Sequence, residues 1–135
     1  MKAKNCLIFG GSGQIGRNLI RKLTKNGLRV TVVTRNIHQK SYIIKTQANF
    51  GYIKIVEANL FDEKKIRKLF QNADICINLV GILFEKKRGN TFKNIHSVFP
   101  SILSNLCKEY KLKQFIHLSA LGIDSAIDSK YATSK

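Results

Sequence analysis

Short apolar runs alternate along the chain with stretches in which apolar residues recur every three or four positions. Five runs are rich in β-branched and aromatic residues and predict strands at residues 5–9, 28–33, 52–56, 73–80 and 115–119. The fourth run is almost continuously apolar, which is typical of a strand buried on both faces. The stretches between the strands predict helices.

The predicted helices differ in how clearly they are bounded. The first has apolar residues at positions 15, 19, 20 and 23 and ends at Asn26 and Gly27. Residues 38–50 are ambiguous and could form a short helix. Asp62 suits the N-cap of the next helix. A longer helix over residues 92–110 should bend at Pro100, and a last one begins at Lys130.

This alternation, without linkers or repeats, predicts one α/β domain over residues 1–135. Right-handed crossovers would build a Rossmann-type, doubly wound parallel sheet of order 3-2-1-4-5. A further helix starts just as the sequence stops. We therefore expect the N-terminal part of a larger architecture, truncated after strand five and lacking the later strands and a substrate region. It could be a fragment, a degraded gene product or one part of a split protein.

The turn after the first strand, GGSGQIG, places glycines at positions 10, 13 and 16. Gly10 would allow a sharp turn, Gly13 would let backbone amides approach a pyrophosphate, and Gly16 would let the helix pack closely on the sheet. Gln14 and Ile15, which open the helix, join them as candidate cofactor contacts. The context predicts dinucleotide binding, although a merely tight turn would need similar residues.

The end of the second strand indicates which dinucleotide is bound. NAD-preferring sites usually carry an acid about twenty residues after the glycines, but no acid precedes Glu57. Arg35 offers a guanidinium suited to a 2′-phosphate, and Arg17 or Lys40 could assist. NADP(H) is therefore favoured over NAD(H), unless Arg35 is simply one more solvated cation.

Two further segments are candidates for the same site. Asn59 and Leu60, after strand three, could meet the adenine. Leu79, Val80 and Gly81, at the end of strand four, could line the nicotinamide side. All five residues would also suit a plain core or loop.

Ser119, Tyr131 and Lys135 form a candidate catalytic set. Tyr131 and Lys135 are four residues apart and share one face of a helix. A protonated Lys beside a Tyr favours the phenolate, which makes the Tyr a usable proton donor to a carbonyl that receives hydride. Ser119 would hydrogen-bond that carbonyl. A Tyr-x-x-x-Lys pair is common by chance in a Lys-rich chain.

Charge and cysteine content add less. The chain has 24 Lys and Arg against 8 Asp and Glu, a net charge of +16, which suits nucleic acid, anionic lipid or phosphorylated ligands. Compositional drift through codon bias, which places Lys at surface positions, is the favoured cause. No basic arm or aromatic-interleaved stripe stands out, so nucleic acid is disfavoured. Cys6, Cys76 and Cys107 lack metal-ligand spacing, so we predict buried thiols and no metal site.

These motifs together resemble the N-terminal part of an atypical or extended short-chain dehydrogenase/reductase. Within that group the chain is most similar to the nucleotide-binding accessory subunit of respiratory complex I and its bacterial relatives. The matching stretches are GGSGQIGR at 10–17, NLVGIL at 78–83, FIHLSALG at 115–122 and YATSK at 131–135. His96 falls near a structural Asn of many dehydrogenases, where we expect a partly buried, hydrogen-bonded imidazole rather than a catalytic one.

The resemblance implies bound NADP(H) in a structural or assembly role. The partners would be the dinucleotide and respiratory complex I or another membrane-associated assembly. We predict a cytoplasmic chain that could lie at the periphery of the inner membrane, because the longest apolar run, 75–84, is too short to span it. The alternatives are an active NADP-dependent reductase or nucleotide-sugar epimerase/dehydratase, and an inactive gene fragment.

Overall fold

Five parallel strands form one sheet in the order β3-β2-β1-β4-β5, which confirms the predicted topology. The computed structural model describes residues 4–86, 89–121, 123–126 and 128–135. The strands are β1 (Asn5–Phe9), β2 (Arg29–Thr34), β3 (Ile53–Glu57), β4 (Ile75–Asn78) and β5 (Gln114–His117).

β4 and β5 are both shorter than the apolar runs that predicted them, residues 73–80 and 115–119. β4 begins after Asp74, whose Oδ2 accepts a hydrogen bond from the Asn5 N–H at 2.8 Å. β5 ends at His117, which corrects the expectation that Ser119 closes that strand. Beyond the strand only Leu118 continues the ladder, donating its N–H to the Asn78 carbonyl at 3.1 Å.

The helices lie in the predicted places: α1 (Gln14–Lys25), α2 (Ile37–Lys45), α3 (Glu63–Phe70), α4 (Phe99–Glu109) and α5 (Lys130–Ser134). The ambiguous segment is helical only as far as Lys45. Its N-cap is Asn36, whose Oδ1 accepts from the Gln39 N–H at 3.2 Å. The predicted cap of α3 is confirmed, because Asp62 Oδ1 accepts from the Lys65 N–H at 3.3 Å.

The long helix predicted over 92–110 is confirmed as a continuous helical stretch over residues 92–109, but it is not α-helical throughout. A π-helical turn, Asn94–Val98, leads into α4, and the Phe99 N–H donates to the Asn94 carbonyl five residues back. Pro100 has no N–H to donate to the carbonyl four residues before it, so the α-helical pattern cannot extend backwards unchanged. The irregularity therefore lies just before the proline.

The sheet separates two apolar cores. On one face α3 and α4 cover the strands, and the fully buried residues there include Leu7, Phe9, Ile66, Phe70, Phe99 and Leu103. On the other face α1 and α2 pack on the strands through Ile8, Ile20, Val32 and Ile44. At the β5 edge of the sheet, the side chains of Ile116 and Leu118 are 41% and 40% exposed.

The three cysteines are all free and buried, as predicted. Burial raises the pKa of the Cys6 thiol above its usual value. Among the described residues, no helix is both long and apolar enough to cross a bilayer.

A methyl group at Gly16 should destabilise the fold. Its Cβ would lie 2.6 Å from Gly11 Cα and 2.7 Å from the Gly10 oxygen, both backbone atoms, so α1 would have to move. We expect Gly16→Ala to lower the free energy of unfolding by about 1–3 kcal/mol, measured by urea titration. At Gly13 the nearest atom would be 3.7 Å away, so Gly13→Ala should cost less than about 1 kcal/mol. Equal losses would contradict this account.

Candidate functional site

The principal cleft opens at the carboxyl ends of β1 and β4, where the strand order reverses. In open parallel sheets this is where ligands bind. The cleft has a volume of about 600 Å³, within the usual range for small-molecule sites. It brings together seven residues predicted from sequence: Gly10, Gly13, Arg35, Leu60, Leu79, Val80 and Gly81.

The glycine turn forms one wall of the cleft. Gly10 has φ +83°, and a Cβ there would lie 2.8 Å from the Leu79 carbonyl carbon, so only glycine fits. A Cβ on Gly16 would lie 2.6 to 2.7 Å from backbone atoms of Gly10 and Gly11, so glycine at this position lets α1 lie close against the turn after β1. The turn is held tight by backbone-to-backbone contact.

The N-terminus of α1 lacks the usual side-chain cap. Gly13 is its N-cap residue and supplies no side-chain acceptor, and the first turn contains no acid. The leading N–H groups of a helix need acceptors from outside it. An anionic group in the cleft would fit these donors and the positive end of the helix dipole.

Four of the predicted cofactor contacts do not line the principal cleft: Gln14, Ile15, Gly16 and Asn59. Gln14 and Ile15 are exposed on the first turn of α1, and Ile15 is 58% exposed. Asn59 lines an adjoining cleft of about 420 Å³ that shares Arg35 and Leu60 with the first. The Asn59 Oδ1 accepts from the Phe61 N–H at 2.9 Å, so this side chain shapes the turn after β3.

The residues that follow β2 make their end of the principal cleft basic. Arg35 and Lys40 both line it, and none of its lining residues is acidic. Arg35 Nη1 donates to Asn90 Oδ1 at 3.0 Å, which holds the guanidinium across the opening. Glu57, the first acid in the sequence, accepts from the Ile37 N–H at 3.2 Å and so caps α2.

Arg17 also carries an unsatisfied polar atom. Its Nε is buried and has no hydrogen-bond partner among the described residues. It stands in the first turn of α1, next to the uncapped amides.

The structure brings together two of the three candidate catalytic residues. Lys135 Nζ lies 5.7 Å from the centre of the Tyr131 ring, within cation–π range, and burial lowers the pKa of Lys135. The same Nζ would be 3.2 Å from a Cβ on Gly81, so it reaches the edge of the cleft. Ser119 is exposed beyond β5 and forms no hydrogen bond with Tyr131 or Lys135 in the described part of the chain.

Sequence reasoning missed a polar pair beside the cleft, the buried Asn78 and the half-buried His117. Asn78 is fully buried; its Oδ1 accepts from the Val80 N–H at 3.1 Å, and its Nδ2 lies 3.1 Å from His117 Nδ1. This pair fixes the direction in which the chain leaves β4. The sequence did contain a signal for Asn78, because it is a polar amide inside the longest apolar run, residues 75–84.

The two histidines beside α5 are poor proton acceptors. Burial, followed by the charges of Lys135 and His117, lowers the pKa of His96. Burial and then Lys135 lower the pKa of His117. Both imidazoles are therefore neutral at pH 7. His96 is 3% exposed with both ring nitrogens hydrogen-bonded; the hydrogen bonding agrees with the sequence expectation, and the burial is more complete than the partial burial expected.

Comparison with known proteins assigns the chain to a family. Residues 6–130 match the model of the NAD dependent epimerase/dehydratase family. The chain belongs to this family. Its members include proteins of the short-chain dehydrogenase/reductase type, so the predicted family relationship is confirmed.

Two curated relatives of the chain are subunits of NADH dehydrogenase. The mitochondrial NADH-ubiquinone oxidoreductase 40 kDa subunit of Neurospora crassa is 23% identical over 128 residues, which are 95% of this chain and 34% of that subunit. The mitochondrial NADH dehydrogenase [ubiquinone] 1 alpha subcomplex subunit 9 of Mus musculus is 27% identical with the same coverage. The chain thus spans about a third of the length of these relatives.

A solved structure confirms the fold. A wide-type short-chain dehydrogenase/reductase from Veillonella parvula, in complex with NADP, superposes with a TM-score of 0.68 at 15% identity, covering 92% of this chain and 51% of that one. The family is described as NAD dependent and this neighbour binds NADP. The family match therefore establishes membership of an NAD dependent family.

Proposed function

We propose that this chain binds NADP(H) in the principal cleft and holds it in a structural or assembly role within an assembly related to respiratory complex I. The observation that carries the proposal is the basic, acid-free end of the cleft, where Arg35 and Lys40 stand beside the glycine turn. The chain would act at the periphery of the inner membrane.

The diphosphate would bind at the glycine turn. Gly13 leaves open space next to the uncapped amides of α1, and a diphosphate would supply the acceptors that those amides lack. Arg17, with its unpartnered Nε in the first turn, is a candidate second contact. Gly10 and Gly16 would support the site through the backbone contacts that keep the turn tight.

The 2′-phosphate would bind at Arg35. Its guanidinium is already held across the opening by Asn90, which leaves its other N–H groups available to phosphate oxygens. Lys40 would add a second positive charge. Glu57 is the first acid after the glycine turn, and its carboxylate already accepts the Ile37 N–H at the start of α2. It would therefore not bind the adenosine ribose in place of a phosphate at Arg35.

The remaining candidate contacts would serve the two ends of the cofactor. Asn59 and Leu60 stand on the adenine side, while Leu79, Val80 and Gly81 stand on the nicotinamide side. Bound NADPH supplies a hydride for carbonyl reduction. Lys135, whose Nζ reaches Gly81, would contact the nicotinamide ribose.

Two findings favour a role in holding the nucleotide rather than a role in catalytic turnover. The relatives are named as subunits of a respiratory enzyme. In addition, Ser119 is exposed and forms no hydrogen bond with Tyr131 or Lys135 in the described part of the chain, which gives turnover less support.

An NADP-dependent reductase or nucleotide-sugar epimerase/dehydratase is the second candidate. It is favoured by the proximity of Lys135 to the Tyr131 ring and to Gly81. The family description, which names epimerases and dehydratases, agrees with it.

Replacing Arg35 should remove the preference for the phosphorylated nucleotide. We expect Arg35→Gln to weaken NADPH binding by about 10- to 100-fold, the value of hydrogen bonds to a charged group, with little change for NADH. Fluorescence titration with both nucleotides measures this. Arg29→Gln, at the opposite end of the same strand, removes the same charge and should change neither affinity. Tighter binding of NADH by the unmodified chain would contradict NADP(H) selection.

The role of Tyr131 distinguishes the two candidate functions. For a nucleotide-holding role we expect no NADPH oxidation with a panel of carbonyl compounds. Tyr131→Phe should then leave NADPH affinity within about twofold. Tyr42→Phe, an exposed tyrosine on α2, is the control. NADPH oxidation that disappears only in Tyr131→Phe would favour the reductase.

The assembly role predicts that nucleotide binding and association are linked. A tagged chain expressed in its own cells should co-migrate with a membrane complex containing NADH dehydrogenase activity on native gels. Arg35→Gln should reduce the co-migrating fraction and Arg29→Gln should not. A chain that migrates only as a free protein would contradict this role.

A further inference from the structure

His96 connects two parts of the molecule that border the nicotinamide end of the cleft. It belongs to the π-helical turn and is almost fully buried. Its Nε2 lies 3.0 Å from the Ile82 nitrogen, just after β4, and its Nδ1 lies 2.8 Å from Ser134 Oγ on α5.

The partners of His96 determine its tautomer. A backbone N–H can only donate, so Nε2 must accept from Ile82 and cannot carry a proton. The proton of the neutral ring is then on Nδ1, which donates to Ser134 Oγ. Ser134 in turn donates its hydroxyl proton to the Tyr131 carbonyl at 2.7 Å. The three hydrogen bonds run in one direction, from Ile82 to α5.

Aromatic packing holds the imidazole in this orientation. Phe92 is stacked on the ring, with centroids 5.6 Å apart and planes 18° apart. Tyr131 meets it edge-on, with centroids 5.2 Å apart. The imidazole thus has one face covered and both nitrogens occupied, so it has little freedom to flip.

Helix α5 has few other long-range attachments. Its N-cap, Ser129, bonds within the same segment, accepting from the Ala132 N–H. Over the described ranges, the bond from His96 to Ser134 is the only hydrogen bond between α5 and a residue outside its own segment. The position of α5 therefore depends strongly on this imidazole.

We propose that His96 is a positioning residue: in its neutral Nδ1–H form it fastens α5, and hence Lys135, to the end of β4. The consequence for nucleotide binding rests on the proposed NADP(H) site. Lys135 Nζ reaches the Gly81 edge of the cleft, so loss of the connection would withdraw a cation from the nicotinamide end.

Protonation of His96 would break the connection. A proton on Nε2 would face the Ile82 N–H, and two donors repel each other. The titratable groups that face His96 are Lys135 and Tyr131 on α5 and His117 on β5. Burial and the positive charge of Lys135 lower the pKa of His96. Its neutral form therefore contributes full stability above pH about 6.5, and this contribution is lost as pH falls through the lowered pKa of the folded state.

Three variants separate the hydrogen bonds from packing. His96→Gln offers a carbonyl oxygen to Ile82 and an N–H towards Ser134, without titrating between pH 5 and 8. His96→Leu keeps bulk but neither bond. Ser134→Ala leaves the imidazole and removes only its partner on α5. His117→Gln controls for the second histidine.

The direct test is nitrogen-15 NMR of the imidazole together with amide hydrogen exchange. We expect the Nδ1–H tautomer in the full chain at pH 7. Ser134→Ala and His96→Leu should increase the exchange of α5 amides by about tenfold, the loss of one hydrogen bond, and His96→Gln should not. An Nε2–H tautomer, or unchanged exchange in Ser134→Ala, would overturn the proposal.

The functional test is the affinity for NADP⁺ as pH falls from 7 through the lowered pKa of His96, which nitrogen-15 NMR titration locates. Titration of the ligand's own 2′-phosphate affects all variants alike, so each variant is compared with the unmodified chain. We expect the unmodified chain and His117→Gln to lose about tenfold more affinity than His96→Gln on acidification. Identical profiles for His96→Gln and the unmodified chain would contradict the proposal. If no form binds NADP⁺, the proposed function fails, while the NMR and exchange results still decide the role of His96.

Discussion

The site depends on a close backbone contact between the turn after β1 and the peptide after β4. A Cβ on Gly10 would lie 2.8 Å from the Leu79 carbonyl carbon, and one on Gly16 would lie 2.7 Å from the Gly10 oxygen. These two contacts hold the turn close to the peptide after β4 and to the first turn of α1. The width of the cleft and the orientation of the α1 amides follow from them, because backbone atoms in such contact cannot adjust as side chains do.

Hydrogen bonds from polar side chains also hold the backbone after β4, on the other side of the cleft from the glycine turn. Asn78 satisfies the Val80 N–H and contacts His117, while His96 satisfies the Ile82 N–H and holds Ser134. An unpaired buried polar group is costly, so these side chains define one path for the chain leaving β4. Rigidity there comes from fully paired amide and imidazole groups, in a segment without regular secondary structure.

The fold was predictable because local signals agreed with each other. Apolar runs, glycine turns and the Asp62 cap all indicated a βαβ series, and the structure has that order. The exact ends of elements were not predictable: β5 ends at His117, before Ser119, and Pro100 produces a π-helical turn upstream of itself. Strand ends depend on pairing with neighbours, and this information is not local in the sequence.

The candidate site was predictable only where residue type determines geometry. The glycines and the Arg35 position followed from spacing, whereas the partners of His96 and Asn78 come from segments distant in sequence. His96 and Ser134 are separated by 38 residues, and Asn78 and His117 by 39. No local pattern indicates such pairings. The role of Asn59 was also hidden, because its use in a turn depends on the backbone around it.

Most of the acidic side chains form hydrogen bonds or ion pairs within the described part of the chain. Glu57, Asp62, Asp74 and Glu85 accept backbone N–H groups, and Glu63 and Glu109 share Arg67. With 24 basic side chains against 8 acidic ones, the chain carries a net charge of +16. A polyanionic nucleotide would be attracted to such a chain before any specific contact forms, and dissolved salt would slow its capture by screening the attraction. For the proposed site, the excess charge would govern the rate of association, while the local geometry would govern the rate of dissociation.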